Sequence, residues 1–245
     1  MIDYGLLISV ILAFGIPAVL STRWPIAGSG EPVPFLDAAL GPAFAGLAVG
    51  RVTTLVLDDP NSIGSVSDML IVRSGVEFWP GVAAALTAAA VSARMASVAV
   101  GRRIVDLVPL AMVGYAGFEA TCAFRDGCFG PASQLGLRPP GISITMLPIG
   151  WLMAVAIAAA AVGVRALVVR GHSSALVVAV ATTSVASVRA IGSIWLPHVG
   201  GGLTRQHTTS VVIAAAAAVA TLVATVVERR SQTTYAGTSR LSQEP

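Results

Sequence analysis

Seven apolar segments of membrane-spanning length run along the chain, separated by short stretches rich in Gly, Pro and Asp. An α-helix of ~20 apolar residues crosses the ~30 Å hydrocarbon core of a bilayer. The pattern therefore predicts an all-α integral membrane protein, folded as a bundle of about seven transmembrane helices. The segments fall near residues 2 to 21, 35 to 57, 76 to 93, 104 to 123, 147 to 169, 174 to 195 and 208 to 227.

Composition supports this interpretation, because charged residues make up only 11% of the 245, whereas soluble domains carry roughly a quarter. So little charge cannot cover a surface that faces water. All 15 basic residues are Arg, and no basic stripe is interleaved with aromatic side chains, so nucleic acid is not a predicted partner. We expect one transmembrane domain over residues 1–230 and a polar, disordered cytoplasmic tail over residues 231–245.

The distribution of Arg predicts the orientation, because short cytoplasmic loops carry the excess of positive charge. With the N-terminus outside the cytoplasm, nine Arg fall on the inside and four fall in outside loops. The inside set is Arg23, Arg94, Arg102, Arg103, Arg165, Arg170, Arg229, Arg230 and Arg240, and the outside set is Arg73, Arg125, Arg138 and Arg205. We therefore expect an outside N-terminus and a cytoplasmic C-terminus.

Six polar or ionisable residues interrupt the apolar segments, and each is a candidate functional residue because a charge at the centre of a span costs roughly 2.5 to 3.5 kcal/mol. In the predicted orientation all six lie in the outer half of the bilayer. This shared depth predicts a polar cavity that opens toward the outer leaflet. The alternative is that the side chains extend to the outer interface and form structural ion pairs. The six are Tyr4, Arg51, Glu77, Glu119, Arg189 and His207.

Depth separates these candidates further. Arg51 and Arg189 lie too deep to reach the interface easily, so an internal partner or a function is expected for both, and Glu119 is a plausible partner for either. His207 fits a catalytic base and an interfacial residue equally well.

The two cysteines, Cys122 and Cys128, lie six residues apart without the pattern of a zinc site, so no metal is predicted. We interpret them first as ordinary small residues, and whether they pair is left open.

Several short motifs resemble those of the prolipoprotein diacylglyceryl transferases, over nearly the whole length of the chain. The motifs are "YGLL" from Tyr4, "GRV" around Arg51, "GVEFWPG" around Glu77, "FEATCAFRDGCFG" from Phe118 to Gly130, and "LTRQHTTS" around His207. The chain departs from the family pattern at three places. A His before the Gly-rich segment is missing, Glu119 stands where the family has an Arg, and the second Arg expected after Arg189 falls near Trp195 or Leu196.

The resemblance implies a seven-helix protein of the bacterial inner (plasma) membrane, with the orientation predicted above. It implies transfer of a diacylglyceryl group from phosphatidylglycerol to the cysteine thiol of a secreted lipoprotein precursor, without a cofactor. Arg51 and Arg189 would then bind the phosphate, His207 or Glu119 would act as the base, and Tyr4 would orient the substrate. Glu77 and Gly130 complete the implied substrate-binding set.

The three departures favour an alternative, a catalytically degenerate homologue that binds a lipid or a lipoprotein and has lost the chemistry. A third interpretation is a small transporter, which is suggested by the Gly and Pro residues that interrupt the apolar segments. It is more distant than the other two, because the sequence shows no inverted repeat.

Overall fold

The computed structural model describes residues 4–58, 75–125, 128–139, 141–196 and 204–241, and this part of the chain is mostly helical. Each of the seven apolar segments contains one α-helix. The helices are α1 (Tyr4–Leu20), α2 (Phe35–Asp58), α3 (Phe78–Met95), α4 (Val100–Ala120), α5 (Ile149–Val169), α6 (Ser174–Trp195) and α7 (Arg205–Leu241).

Four of these helices are long and apolar enough to cross a membrane. They are Phe35–Asp58, Ile149–Val169, Ser174–Trp195 and the Arg205–Arg230 part of α7, while Tyr4–Leu20 is apolar but shorter, with 17 residues. Many large apolar side chains on the helices are exposed, for example Val19, Phe44, Val155 and Leu222. A membrane location fits exposed surfaces of this kind. The seven-span bundle and its orientation stay predictions.

Two boundaries differ from the predicted ones. Helix α4 begins at Val100 rather than near residue 104, so Arg102 and Arg103 belong to the helix and not to a loop. Helix α7 continues to Leu241, past residue 230 where the transmembrane domain was predicted to end. The residues after Arg230 are mostly polar, so hydropathy falls there. No proline interrupts the backbone before Leu241, so the helix continues past the point where hydropathy falls. The division into a membrane domain and a disordered tail stays a prediction.

The connection between α4 and α5 also adds a small sheet to the predicted all-α fold. A short 3₁₀-helix (Cys122–Arg125) leads into strand β1 (Phe129–Leu137), which pairs antiparallel with β2 (Met146–Pro148). The sequence left open whether the two cysteines pair, and the structure joins Cys122 to Cys128 in a disulfide, with their Cα atoms 5.7 Å apart. The hairpin therefore follows directly from a covalently closed turn.

Glycines let α2 and α3 approach each other closely. A Cβ atom added to Gly46 would lie 2.8 Å from the Gly81 carbonyl oxygen, and one added to Gly81 would lie 2.9 Å from that of Gly46. One turn along α2, the Gly50 carbonyl oxygen accepts a 3.1 Å hydrogen bond from the backbone N–H of Glu77. Small residues at such contacts allow backbone-to-backbone packing. This packing fixes the start of α3 against the middle of α2.

The remaining helices pack around two apolar clusters. One joins α4, α5 and α6 through side chains that include Met112, Ile157 and Val177. The other joins the loop after α1 to α2 and α4 through Ile26, Phe35 and Leu110, among others. These two clusters form the apolar core of the described helices.

Candidate functional site

A cavity of about 660 Å³, which we call the polar chamber, lies where α4 and α6 end and α3 and α7 begin, beside the middle of α2. Its walls combine charged, aromatic and small polar side chains with the disulfide. The polar groups that line it include Glu77, Tyr115, Glu119, Arg189, Ser193 and Gln206. The chamber therefore brings together residues from α3, α4, α6 and α7.

Arg189 is the cation of the chamber, and three groups from α3 and α4 hold its side chain. Its Nη1 atom lies 3.9 Å from Oε1 of Glu119 and donates a hydrogen bond to the Tyr115 hydroxyl. Its guanidinium carbon lies 4.0 Å from the centre of the Phe78 ring, within cation–π distance. The expected partner of Glu119 was Arg51 or Arg189, and the structure pairs it with Arg189.

Glu77 lies at the rim of the chamber and is 7% exposed. Its Oε1 atom accepts hydrogen bonds from Nε and Nη2 of Arg205 at 2.9 and 2.5 Å. The same guanidinium makes two further bonds, of 2.9 and 3.0 Å, to the two carboxylate oxygens of Asp58. One Arg thus links the ends of α2, α3 and α7, and Glu77 is occupied by this ion pair.

Arg51 is buried, with 5% exposure, but it is not among the described residues that line the chamber. Its Nη1 atom donates a 3.2 Å hydrogen bond to the backbone carbonyl of Gly75, which does line the chamber. Gly75 has a φ of +84°, a conformation that residues with a Cβ rarely adopt. Arg51 therefore supports the backbone of the chamber wall in this structure.

Three further predicted site residues lie outside the described lining. Tyr4 begins α1 and is 71% exposed. The Nδ1 atom of His207 lies 2.8 Å from the hydroxyl of Ser193, which lines the chamber. Gly130 serves packing, because a Cβ there would lie 2.7 Å from a side-chain carbon of Ile149. Glu77, Glu119 and Arg189 are the predicted residues that meet in the chamber.

Two apolar grooves adjoin the chamber. The first, of about 320 Å³, lies among α1, α2, α3 and α4, and the second, of about 190 Å³, lies among α3, α4 and α6. Both grooves are lined by Val82, Leu86, Val108, Ala111 and Tyr115, so they lie on either side of the contact between α3 and α4. Val82 and Tyr115 also line the chamber. The polar chamber therefore shares wall residues with both apolar grooves.

The sequence did not single out Phe78, Tyr115 or Arg205. An aromatic residue in an apolar segment has the same appearance in sequence whether it packs in a core, lies in an interfacial belt or supports a cation. Arg205 was assigned to an outside loop, and its partners Asp58 and Glu77 are distant in sequence. Its position two residues before His207, at the start of the last apolar segment, is the one signal that it faces the same layer.

No protein-family model matches the chain, and comparison with curated proteins gives no match either. The class that the fold defines is a mostly helical protein whose described residues include four helices long and apolar enough to cross a membrane. We take the chamber and its two grooves as the candidate binding site, because the chamber combines charged and aromatic side chains and the grooves beside it are apolar.

Proposed function

We propose that the chain is an integral membrane protein that binds an anionic diacyl phospholipid, with the head group in the polar chamber and one acyl chain in each apolar groove. The observation that carries the proposal is that a chamber containing Arg189 shares wall residues with two grooves on either side of the α3–α4 contact. An amphipathic ligand with one polar end and two apolar chains matches this shape.

Arg189 supports an anionic head group. A guanidinium presents a planar set of donors that matches phosphate oxygens. Its partner Glu119 lies at 3.9 Å, longer than a direct hydrogen bond, so a phosphate oxygen can compete for the same donors. Phe78 and Tyr115 hold the guanidinium in place without neutralising it.

The grooves support acyl chains. Their described walls are almost entirely aliphatic and aromatic, with Phe14, Phe35 and Leu107 in the first groove and Trp79, Met112 and Val185 in the second. Ordered side chains around an apolar space favour a hydrocarbon ligand over water. Because the grooves share one wall, a single lipid can occupy both of them.

The proposal includes the predicted membrane arrangement. Seven helices cross a bacterial inner membrane, with the N-terminus outside and the C-terminus in the cytoplasm. Under this arrangement the chamber lies in the outer half of the bilayer, because α4 and α6 end there and α3 and α7 begin there. The predicted bias of Arg toward the inside supports this orientation.

By the resemblance to the prolipoprotein diacylglyceryl transferases, the lipid is phosphatidylglycerol, and the chain is a non-catalytic homologue. Three positions support the loss of catalysis. Glu119, which replaces an Arg of the family pattern, is the counter-ion of Arg189. Tyr4 is exposed outside the described lining, and Arg51 bonds the backbone of Gly75.

The transferase itself is the second candidate, and one contact favours it. The imidazole of His207 accepts from or donates to the Ser193 hydroxyl at the chamber wall, at 2.8 Å. A base in this position can accept the proton of a substrate thiol through the hydroxyl. The reaction would join the precursor's sulfur to the diacylglyceryl carbon and release glycerol phosphate.

Binding of a fluorescent phosphatidylglycerol to the purified protein in detergent tests the proposal, with phosphatidylcholine as the competitor. We expect preference for phosphatidylglycerol, and an Arg189→Gln variant should bind it about 10 to 100 times more weakly, since a hydrogen bond to a charged group contributes ~1.5–3 kcal/mol. Arg138→Gln is the matched control, because it removes an exposed Arg outside the described lining. Equal binding of the two lipids, or equal loss in both variants, contradicts the proposal.

Incubation with phosphatidylglycerol and a lipobox peptide distinguishes the two candidates. A lipid-modified peptide that disappears in the His207→Ala variant identifies a transferase. Binding of phosphatidylglycerol with no modified peptide, and no rescue of a strain depleted of its own transferase, identifies the non-catalytic homologue.

A further inference from the structure

The disulfide between Cys122 and Cys128 forms part of the chamber wall, a position that lipid binding does not require. Both cysteines line the chamber, at the level of Glu119 and Arg189. Cys122 is 5% exposed and Cys128 is half-buried. The bond is therefore shielded from bulk solvent while facing a cavity large enough for a small ligand.

The backbone on the opposite side of the disulfide is tightly packed. A Cβ atom added to Gly150 would lie 3.0 Å from Cβ of Cys122 and 3.1 Å from Cβ of Cys128. The backbone N–H of Gly150 donates a 3.2 Å hydrogen bond to the carbonyl of Cys128. Cys128 itself has a φ of +64°, which is uncommon for a residue other than Gly. The disulfide is thus held from the α5 side, and the chamber is its open side.

Glu119 places a carboxylate beside the two sulfur atoms. A carboxylate oxygen of Glu119 and both Sγ atoms lie within 4.8 Å of one another. Arg189 is the cation that faces this carboxylate, at 3.9 Å. Thiol–disulfide exchange is accelerated by a group that moves a proton between the attacking and the leaving sulfur, because the thiolate is the nucleophile. Glu119 has the chemistry and the position for that transfer.

We infer that Cys122–Cys128 is a redox-active disulfide that exchanges with thiols entering the chamber, and that Glu119 carries the proton. This activity goes beyond the proposed lipid binding and does not rest on it. A second function is assigned to the same cavity, with a dithiol as the class of reactant.

The exchange takes place in two balanced steps. A thiol of the dithiol gives its proton to Glu119 and attacks one cysteine sulfur, so the Cys122–Cys128 bond breaks and a mixed disulfide forms. The released cysteine thiolate takes the proton from Glu119. The second thiol of the dithiol then attacks the mixed disulfide in the same way, which leaves two cysteine thiols and a dithiol oxidised by two electrons to its disulfide.

Reduction of the folded, full-length protein by dithiothreitol tests the inference. Acid quenching at timed intervals, followed by alkylation with a maleimide that adds mass to each free thiol, measures the rate. We expect Glu119→Gln to slow reduction about tenfold or more, since general acid–base groups contribute roughly 10²- to 10⁴-fold. Glu119→Asp keeps the carboxylate and should recover much of the rate. The control Glu228→Gln removes a carboxylate that pairs with His172, outside the described lining of the chamber, and should not change the rate.

The sign of the change separates proton transfer from simple electrostatics. If Glu119 only repelled the incoming thiolate, Glu119→Gln would speed reduction or leave it unchanged, and the assigned role would be wrong. In denaturing detergent all variants should be reduced at one rate, because the chamber is then lost. A disulfide that dithiothreitol reduces only after denaturation is purely structural, which overturns the inference. Phosphatidylglycerol binding by the Cys122→Ala/Cys128→Ala variant is measured separately, so failure of either proposal is recognised independently.

Discussion

Helix α4 carries two buried carboxylates with different surroundings. Asp106, near the start of the helix, is 3% exposed, and Glu119, near its end, is 8% exposed. They lie roughly 20 Å apart along the axis, at 1.5 Å per residue. Asp106 accepts hydrogen bonds from the backbone N–H of Ala27 at 3.0 Å and from Nε of Arg102 at 3.3 Å, and it lines neither the chamber nor the two grooves. Glu119 faces the chamber and a partly displaceable partner, Arg189.

The difference shows that burial of a charge does not by itself identify a functional site. Asp106 fixes the loop after α1 onto α4, and its oxygen already accepts from two donors. Glu119 has a cavity on one side, so a ligand can reach its partner. Access, rather than burial, distinguishes the chamber from the structural contact at the other end of the helix.

Among the variants that test this comparison, the largest expected effect is the loss of stability in Asp106→Ala. The substitution leaves the N–H of Ala27 without its acceptor, and an unsatisfied buried donor costs about 1–3 kcal/mol. The free energy of unfolding, measured by titration with a denaturing detergent, should fall by that amount. Asp106→Asn keeps an acceptor oxygen and should lose less.

The affinity of the same Asp106→Ala variant for phosphatidylglycerol tests whether Asp106 also contributes to binding. If Asp106 is only structural, folded Asp106→Ala protein should bind phosphatidylglycerol as the native chain does. A loss of affinity without a loss of stability would reverse the comparison and make Asp106 part of the binding site.

The positions of the helices could be predicted because apolar length is a strong one-dimensional signal. The segments at 147 to 169 and 174 to 195 correspond to helices Ile149–Val169 and Ser174–Trp195. The end of α4 could not, since the apolar run continues to residue 123 while the helix ends at Ala120. Hydropathy does not detect the disulfide-closed turn that ends it.

The site could be predicted only by depth, and depth does not specify direction around a helix. Arg51 and Arg189 were placed in one layer, yet Arg189 lines the chamber, whereas Arg51 is not among the described lining residues and donates to the carbonyl of Gly75 in the chamber wall. The identity of Glu119's partner, and the role of Tyr115 beside it, depend on how the helices are rotated. Sequence alone carries little information on that rotation.

A smaller effect is expected when Glu119 is neutralised. Glu119→Gln removes a negative charge that competes with the phosphate for Arg189, and a repulsion of this kind is about 1 kcal/mol at an effective dielectric constant near 20 with screening. The dissociation constant for phosphatidylglycerol should therefore fall roughly fivefold. Fluorescence titration measures it, with Glu228→Gln as the control for a lost carboxylate elsewhere. Weaker binding would mean that Glu119 contacts the lipid directly, and the contrast with Asp106 would need another explanation.

The smallest effect is expected at Tyr4, which tests whether the resemblance or the geometry better identifies binding residues. The resemblance makes Tyr4 an orienting hydroxyl, whereas the structure leaves it 71% exposed at the start of α1, outside the described lining. Removing an exposed hydroxyl with no ligand contact changes stability by less than about 0.5 kcal/mol, so Tyr4→Phe should alter the dissociation constant for phosphatidylglycerol by less than twofold. A tenfold loss in the same titration, with unchanged unfolding, would mean that α1 moves its first turn toward the chamber when lipid binds. Access to the chamber would then depend on the ligand, and exposure in the free protein would no longer separate binding groups from structural ones.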